Sequence, residues 1–159
     1  MTDFPFSNQQ LFEFIDRAGE ATWASDGEKA QSPERIGFTE LIYKEDDLLY
    51  RDSFTGSDRS WGTELVRYQE KPVWNCVYGG GMVDGFEQLA DETYSFLKKA
   101  LREKESTFQS FRGPQLFEEG EWKYVYEQKG PLENFQGYEE IYFKGDLVHF
   151  YRLIGGIIK

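Results

Sequence analysis

The chain has 159 residues, enough for one domain with a hydrophobic core but short for two. With 18 basic and 29 acidic residues its net charge is −11, which would repel the phosphates of a nucleic acid and an anionic membrane surface. One cysteine and one histidine exclude an intramolecular disulfide and an ordinary zinc site. We therefore predict a single domain over residues 1–159, with no cofactor, metal, nucleic-acid partner or membrane contact.

The start of the chain gives no sign of export. Met1 to Ser7 lack the basic start and apolar core of a signal peptide, and no apolar run approaches the ~20 residues that a membrane-spanning helix needs. We therefore predict the reducing cytoplasm as the compartment.

A first helix is predicted to begin at Ser7. Ser7 and Gln10 have the spacing of a capping box, and Phe6 and Leu11 occupy the positions of a hydrophobic staple. Apolar residues then recur at helical spacing and give the helix one apolar stripe. The following residues, 22–37, have neither helical nor strand periodicity, so they predict a loop of a length that is frequently functional.

Four strands are predicted next, joined by turns of hairpin length into an antiparallel meander. They run from Phe38 to Lys44, Leu48 to Thr55, Trp61 to Tyr68 and Pro72 to Tyr78. Large apolar residues fall on both faces, which favours a sheet that is covered on one side and curled over a partly filled hollow on the other. The glycine run 79–81 is predicted to end the meander.

The second half of the chain predicts one more helix and three more strands. Asp84 and Glu87 have capping-box spacing, and the helix would run to about Glu103. The strands would cover Trp122 to Gln128, Tyr138 to Lys144 and Leu147 to Ile154. We see no internal repeat. The predicted fold class is α+β: a curved, mainly antiparallel sheet of about seven strands with two helices packed on one face.

Several short motifs follow one another along the chain: Tyr50-Arg51-Asp52-Ser53-Phe54, Gly62-Thr63-Glu64, Lys71-Pro72-Val73-Trp74, Tyr78-Gly79, Phe96-Leu97-Lys98, Arg112-Gly113-Pro114, Phe135-Gln136-Gly137-Tyr138-Glu139 and Gly155-Gly156. With them the chain resembles, over nearly its whole length, an uncharacterised prokaryotic family known only as a domain of unknown function. Members of that family occur alone or behind a helix-turn-helix DNA-binding domain of the XRE type, which implies a sensory or interaction role. The resemblance implies no activity. DNA binding is not carried over, because this chain shows no helix-turn-helix segment.

Charged residues in apolar strand or turn contexts are the first candidates for a site, because an unpaired buried charge is costly. They are Arg51, Asp52, Glu64, Arg112 and Glu139. In one interpretation Arg51 and Arg112 lie in the hollow and hold a carboxylate or phosphate of a small ligand. In the other, Arg51 pairs with Glu64 and Arg112 with Glu139 as structural links. The sequence leaves both interpretations open.

Two catalytic arrangements are also conceivable. Glu64 and Glu139 could run acid–base chemistry if their surroundings separated their pKa values. Cys76 and His149, each in the middle of a predicted strand, could form a nucleophile–base couple, although lone cysteines usually pack in the core.

The function we predict is a non-catalytic small-molecule-binding or sensory module with a concave aromatic pocket. Its ligand-binding residues would be Arg51, Glu64, Trp74, Arg112 and Glu139. The alternatives are a carboxylate-dependent hydrolase-like enzyme and a protein-interaction module, which would present an exposed apolar patch or a sheet-edge dimer.

Overall fold

The computed structural model describes residues 4–25 and 27–159, so Met1 to Asp3 of the predicted start and Asp26 of the predicted loop lie outside it. The helices are α1, Asn8–Ala21, and α2, Ala90–Arg102. The strands are β1 Thr39–Glu45, β2 Leu48–Gly56, β3 Arg59–Tyr68, β4 Lys71–Met82, β5 Leu116–Glu119, β6 Trp122–Lys129, β7 Asn134–Phe143 and β8 Asp146–Ile157. Within these described ranges, neither helix has the length and apolarity needed to cross a membrane.

The strands form one open antiparallel sheet in the order β1-β2-β3-β4-β8-β7-β6-β5. Both meanders therefore pair their strands in sequence, and β4 and β8 join them at the centre. The sheet has eight strands rather than about seven. The additional strand, β5, has only four residues, too few for an alternation that could be recognised in the sequence.

The start of α1 is as predicted. The Ser7 side chain accepts a hydrogen bond from the Gln10 backbone N–H at 3.2 Å, and the Gln10 side chain accepts one from the Ser7 backbone N–H at 2.8 Å. Further along the helix, the buried ring of Phe14 contacts the ring of Tyr43 in β1, with centroids 5.7 Å apart.

The start of α2 differs from the prediction. A short 3-10 helix, Glu87–Leu89, precedes α2, and no side chain caps either element. The carboxylate of Asp84 instead accepts a hydrogen bond from Arg59 at 2.8 Å, and that of Glu87 accepts one from the Gly85 backbone N–H at 2.9 Å. The capping box predicted at Asp84 and Glu87 is therefore wrong.

Strand β4 continues through the glycine run that was predicted to end it. Gly80 and Gly81 have φ values of +143° and +139°, and a Cβ atom at either would lie 2.1 Å from a backbone oxygen, that of Phe150 or Asp58. Strand β8 continues likewise through Gly155. The glycines thus permit close approach between neighbouring strand backbones rather than ending the strands.

The two halves of the sheet follow the same plan, which the sequence analysis missed. β3 and β7 both have ten residues with the same alternation of buried and exposed positions, and Glu64 and Glu139 are the sixth residue of each. A bulge follows Val66 in one strand and Ile141 in the other. A helix and a four-stranded meander therefore occur twice, with few identical residues to reveal the repeat.

The substitution Gly80→Ala tests the role of the glycines. We expect it to lower the free energy of unfolding by roughly 3–4 kcal/mol, because the methyl group would collide with the carbonyl oxygen of Phe150. Gly120→Ala is the matched control, since Gly120 also has a positive φ, +62°, but nothing lies near its Cβ position. That variant should lose only about 1–2 kcal/mol. Equal losses in urea unfolding would contradict the argument.

Candidate functional site

A cavity of about 600 Å³ is lined by residues of the sheet, of α2 and of the loop after α1. It is larger than the ~300 Å³ that a small-molecule site needs. The lining residues that matter for its chemistry are Trp23, Asp52, Glu64, Tyr78, Arg112 and Tyr151.

Two carboxyl groups that line the cavity come from neighbouring strands. Asp52 of β2 lies directly opposite Glu64 of β3, and in such pairs the Cβ atoms are roughly 4.5–5.5 Å apart. Both residues are almost fully buried, with 2% and 3% of their surface exposed. We call Asp52 and Glu64 the acid pair.

The pKa values of both carboxyl groups are raised, because burial penalises the ionised form. Burial raises the pKa of Asp52 to about 6, against a lowering effect of the hydrogen bond from Tyr78. Burial and the neighbouring charge of Asp52 raise the pKa of Glu64 to about 8. At pH 7 the acid pair therefore keeps about one proton between its two members.

Neutral groups surround the acid pair. The Tyr78 hydroxyl donates a hydrogen bond to Asp52 Oδ1 at 2.7 Å, and the hydroxyls of Ser60 and Tyr151 share one of 2.6 Å. The charge of Arg112 lowers the pKa of both carboxyls. Within the described residues, however, neither carboxylate forms an ion pair with a lysine or an arginine.

The predicted pair of Arg112 and Glu139 is present and buried, with side-chain exposures of 8% and 0%. The guanidinium donates two hydrogen bonds to the carboxylate, Nε to Oε2 at 2.9 Å and Nη2 to Oε1 at 3.1 Å. Tyr124 donates a third at 3.0 Å, and the ring of Trp23 lies 4.4 Å from the guanidinium carbon. Although burial lowers the pKa of Arg112, the charge of Glu139 raises it well above the usual range.

The cavity lies beside the first half of the sheet, whereas aromatic rings fill the corresponding space in the second half. Ser60 and Phe135 are the second residue of β3 and β7 respectively. The Phe135 ring stacks on Phe111 with centroids 4.3 Å apart. Opposite Glu139 stands Tyr126, where Asp52 stands opposite Glu64. Small and acidic residues thus leave a space open in the first half, and aromatic rings fill the corresponding space in the second half.

Arg51 does not line the cavity, and its predicted pairing with Glu64 is wrong. Alternation along β2 directs Arg51 and its neighbour Asp52 to opposite faces. The Arg51 guanidinium instead forms ion pairs with Glu40 and Glu34, and the buried Glu40 carboxylate also accepts a hydrogen bond from Ser53. This cluster holds the loop before β1 on the face away from the cavity.

Trp74 lies in the core and does not line the cavity. Its ring packs against the stacked rings of Phe111 and Phe135, with centroids 5.6 and 6.1 Å away. The indole N–H is buried and finds no hydrogen-bond partner among the residues that the structure describes.

Cys76 and His149 are both buried. Burial raises the pKa of the Cys76 thiol well above its usual range and lowers that of His149 to about 4. The imidazole lies edge-on to the rings of Tyr94 and Tyr151. An un-ionised thiol and a neutral imidazole enclosed by rings do not make a nucleophile–base couple.

Asp52, Tyr78 and Trp23 line the cavity but were not predicted as ligand-binding residues. A signal existed for Asp52, which alternates with Tyr50 and Phe54 on an otherwise apolar face of β2. Tyr78 and Trp23 carried no comparable signal, because aromatic residues are equally frequent in the core. In the described parts of the chain, no three His, Cys, Asp or Glu side chains are grouped to hold a metal ion.

The acid pair makes a prediction about stability and pH. Between about pH 6.5 and pH 8, Glu64 is protonated in the folded state but ionised in the unfolded state, so the folded state binds more protons. We therefore expect the free energy of unfolding to fall by roughly 2 kcal/mol as the pH rises through this window, and to level off above it. Burial lowers the pKa of His149 to about 4 in the folded state, while in the unfolded state this histidine titrates near pH 6.5. It therefore opposes the slope only at the acid edge of the window, by less than about 0.5 kcal/mol. Urea unfolding at several pH values measures this slope.

The variant Glu64→Gln identifies the group responsible. It should remove most of the slope and be more stable than the parent chain at alkaline pH, since an amide needs no proton to stay neutral. Glu118→Gln, which removes an exposed carboxylate, should keep the slope. A slope that persists in Glu64→Gln would contradict the assignment.

The buried ion pair makes a second prediction. Arg112→Met should lower the free energy of unfolding by roughly 3–5 kcal/mol, because Glu139 would be left buried without a counter-ion. Adding Glu139→Gln should recover part of that loss. Lys99→Met is the matched control, because it breaks an exposed pair with Glu119 and should cost less than about 1 kcal/mol. A loss in Arg112→Met no larger than in the control would refute a structural role of the pair.

A family model described as a domain of unknown function (DUF5680) matches residues 52–158. The match includes the acid pair, Arg112 and Glu139, but neither α1 nor β1, so it is shorter than the resemblance seen in the sequence. No curated protein and no solved structure matches the chain. Because the family model covers most of its length, the chain belongs to the DUF5680 family.

Proposed function

We propose that this domain binds a small organic molecule in its cavity and acts as a non-catalytic binding or sensory module. The observation that carries the proposal is the enclosed acid pair, two carboxyl groups that line an open space of about 600 Å³ although filling that space would have stabilised the fold. Ionisable groups with perturbed pKa values in a cleft are typical of functional sites.

The predicted ligand-binding residues take different parts in this proposal. Glu64 and Arg112 line the cavity and are placed to touch a ligand. Glu139 positions Arg112 through their two hydrogen bonds. Arg51 and Trp74 support the fold from outside the cavity. The aromatic wall consists of Trp23, Phe54, Tyr78, Tyr94 and Tyr151.

A cavity-filling variant tests the proposal. Ser60→Phe introduces a phenylalanine at the position of β3 that corresponds to Phe135 of β7. Its ring should fill the cavity and abolish binding. Thr63→Phe is the matched control, because it adds the same ring to the same strand on the opposite face. The measurement is native mass spectrometry of protein purified from cells, together with a nuclear magnetic resonance screen of neutral, cationic and anionic aromatic fragments.

The proposal expects a retained molecule, or fragment-induced shifts of cavity residues, in the parent chain and Thr63→Phe but not in Ser60→Phe. If no molecule is retained and no fragment of any charge shifts the cavity signals of the parent chain, the proposal is wrong. Equal binding by the parent chain and Ser60→Phe, with the latter folded, would also overturn it.

A second candidate is a carboxylate-dependent, hydrolase-like enzyme. It is favoured by the acid pair, whose pKa values of about 6 and about 8 are separated as a general base and a general acid require. Asp52 thereby replaces Glu139 as the partner that the sequence suggested for Glu64, because Glu139 is held by Arg112. Conversion of the retained molecule by the parent chain, with unchanged binding but no conversion by Glu64→Gln, would decide for this candidate.

A protein-interaction module is the third candidate. Trp61, Val77 and Ile154 are 64%, 46% and 55% exposed and share a shallow apolar depression on the sheet. Solution scattering would show a dimer if this surface joined two copies. For the compartment of this protein we keep the cytoplasm, as predicted from the sequence.

A further inference from the structure

We propose that the ligand of the cavity is a small organic cation, an amine or guanidine on a compact apolar body, whose N–H groups bind the acid pair formed by Asp52 and Glu64. This inference rests on the proposed function, because it names the chemical class of the molecule that the cavity binds.

Buried carboxyl groups outnumber buried guanidinium groups beside the cavity. Three carboxyl groups, those of Asp52, Glu64 and Glu139, lie almost entirely buried around one arginine, Arg112. Arg112 donates two hydrogen bonds to Glu139 and is thereby neutralised. Among the residues that the structure describes, the acid pair has no ion-pair partner, so a cation entering the cavity would meet carboxyl groups that these residues do not neutralise.

The repeat within the sheet favours the same class of ligand. Glu64 and Glu139 occupy the same position of β3 and β7. The second half supplies Glu139 with a guanidinium, held by two hydrogen bonds and covered by the Trp23 ring. In the first half, open space lies beside Glu64 where the guanidinium lies beside Glu139. A bound cation with N–H donors would give Glu64 the kind of partner that Glu139 already has.

The walls of the cavity suit a cation on an apolar body. Tyr78, Tyr94 and Tyr151 contribute aromatic rings, Leu97 and Leu101 contribute aliphatic surface, and the faces of aromatic rings attract positive charge. An anion is disfavoured, because Arg112 is already engaged by Glu139 and the buried acid pair would repel it. Two lysines also line the cavity, but Lys29 is exposed and Lys98 half-buried. A bare metal ion is disfavoured as well, because across the described ranges no three ligating side chains converge.

The site should respond to pH, because a cation stabilises the fully ionised acid pair and displaces its shared proton. Affinity should therefore rise from about pH 6 to about pH 8 and then level off.

Other ionisable groups line the cavity from each neighbouring element: Lys29 of the loop after α1, Tyr78 of β4, Tyr94 and Lys98 of α2, Arg112 before β5, and Tyr151 of β8. Burial raises the pKa of the three tyrosines, so that they stay un-ionised in this window. The charge of Glu139 raises the pKa of Arg112 well above its usual range although burial lowers it, so Arg112 keeps its charge throughout this window.

The test compares three probes of similar size but different charge: benzylamine, benzyl alcohol and phenylacetate. Dissociation constants are measured by nuclear magnetic resonance titration at pH 8, and proton release by calorimetry in buffers of different ionisation enthalpy. We expect benzylamine to bind at least tenfold more tightly than benzyl alcohol, to bind less tightly at pH 6, and to release up to one proton near pH 7. We expect phenylacetate to bind most weakly.

The double variant Asp52→Asn/Glu64→Gln should lose the tenfold preference for the amine while still binding the alcohol. Its matched control, Glu118→Gln/Asp146→Asn, removes two exposed carboxylates and should keep the preference. If that control loses the preference equally, net charge rather than the acid pair is responsible, and the inference is wrong.

The probe series in the parent chain needs no variant to fold. Equal binding of amine and alcohol, or tighter binding of phenylacetate, would overturn the cation inference while the proposed function survives. Fragment binding to the cavity by neutral molecules alone would have the same meaning. If no fragment of any charge binds, the proposed function fails, and the inference fails with it.

Discussion

A carboxyl group taken out of water must be neutralised by a counter-ion or by a proton, and this sheet uses both solutions at equivalent positions. Glu139 is neutralised by Arg112, which approaches from the segment before β5. Within the described ranges Glu64 has no such partner, and burial together with the charge of Asp52 raises its pKa so that it keeps a proton. The cavity lies beside Glu64 and not beside Glu139. If side chains filled the space beside Glu64, no room would remain there for a ligand or for water.

The opposite face of the first meander uses charge in a different way. Arg51, one residue before Asp52, binds Glu40 and Glu34 and so holds the loop that follows α1. Residues of that loop, including Trp23 and Lys29, line one side of the cavity. Two adjacent residues of β2 therefore serve one site from its two sides: Asp52 through its own carboxyl group, and Arg51 by anchoring the loop.

Much of the architecture could be predicted from the sequence, because it depends on local patterns. The capping box at Ser7, the hairpin-length turns and the alternation of the long strands each indicate their structure within a few residues. The pair of Arg112 and Glu139 could be predicted as well, since a buried charge needs a partner. The pairing of Arg51 could not, because a shift of one residue in a strand exchanges its faces and the sequence showed large apolar residues on both.

The cavity itself was harder to locate. Its position depends on a comparison between Ser60 and Phe135, and between Asp52 and Tyr126, and these comparisons become visible only when the two halves are aligned through the sheet. The glycine-rich end of β4 was misread for a different reason. Glycines that permit close strand approach have the same sequence signature as glycines that terminate a strand.

The matching halves have the form of a fused dimer. Trp74, the fourth residue of β4, pairs with Ile157, the last residue of β8. In the same way His149, the fourth residue of β8, pairs with Met82, the last residue of β4, so exchanging the halves leaves the pairing between β4 and β8 unchanged. A shorter ancestral chain of one helix and four strands could have built the same sheet from two separate copies. Duplication and fusion of such a chain would leave each copy to diverge separately, one toward a packed interior and the other toward an open cavity. A cavity could thus arise without an insertion, through smaller side chains on one side of a sheet built from two matching halves.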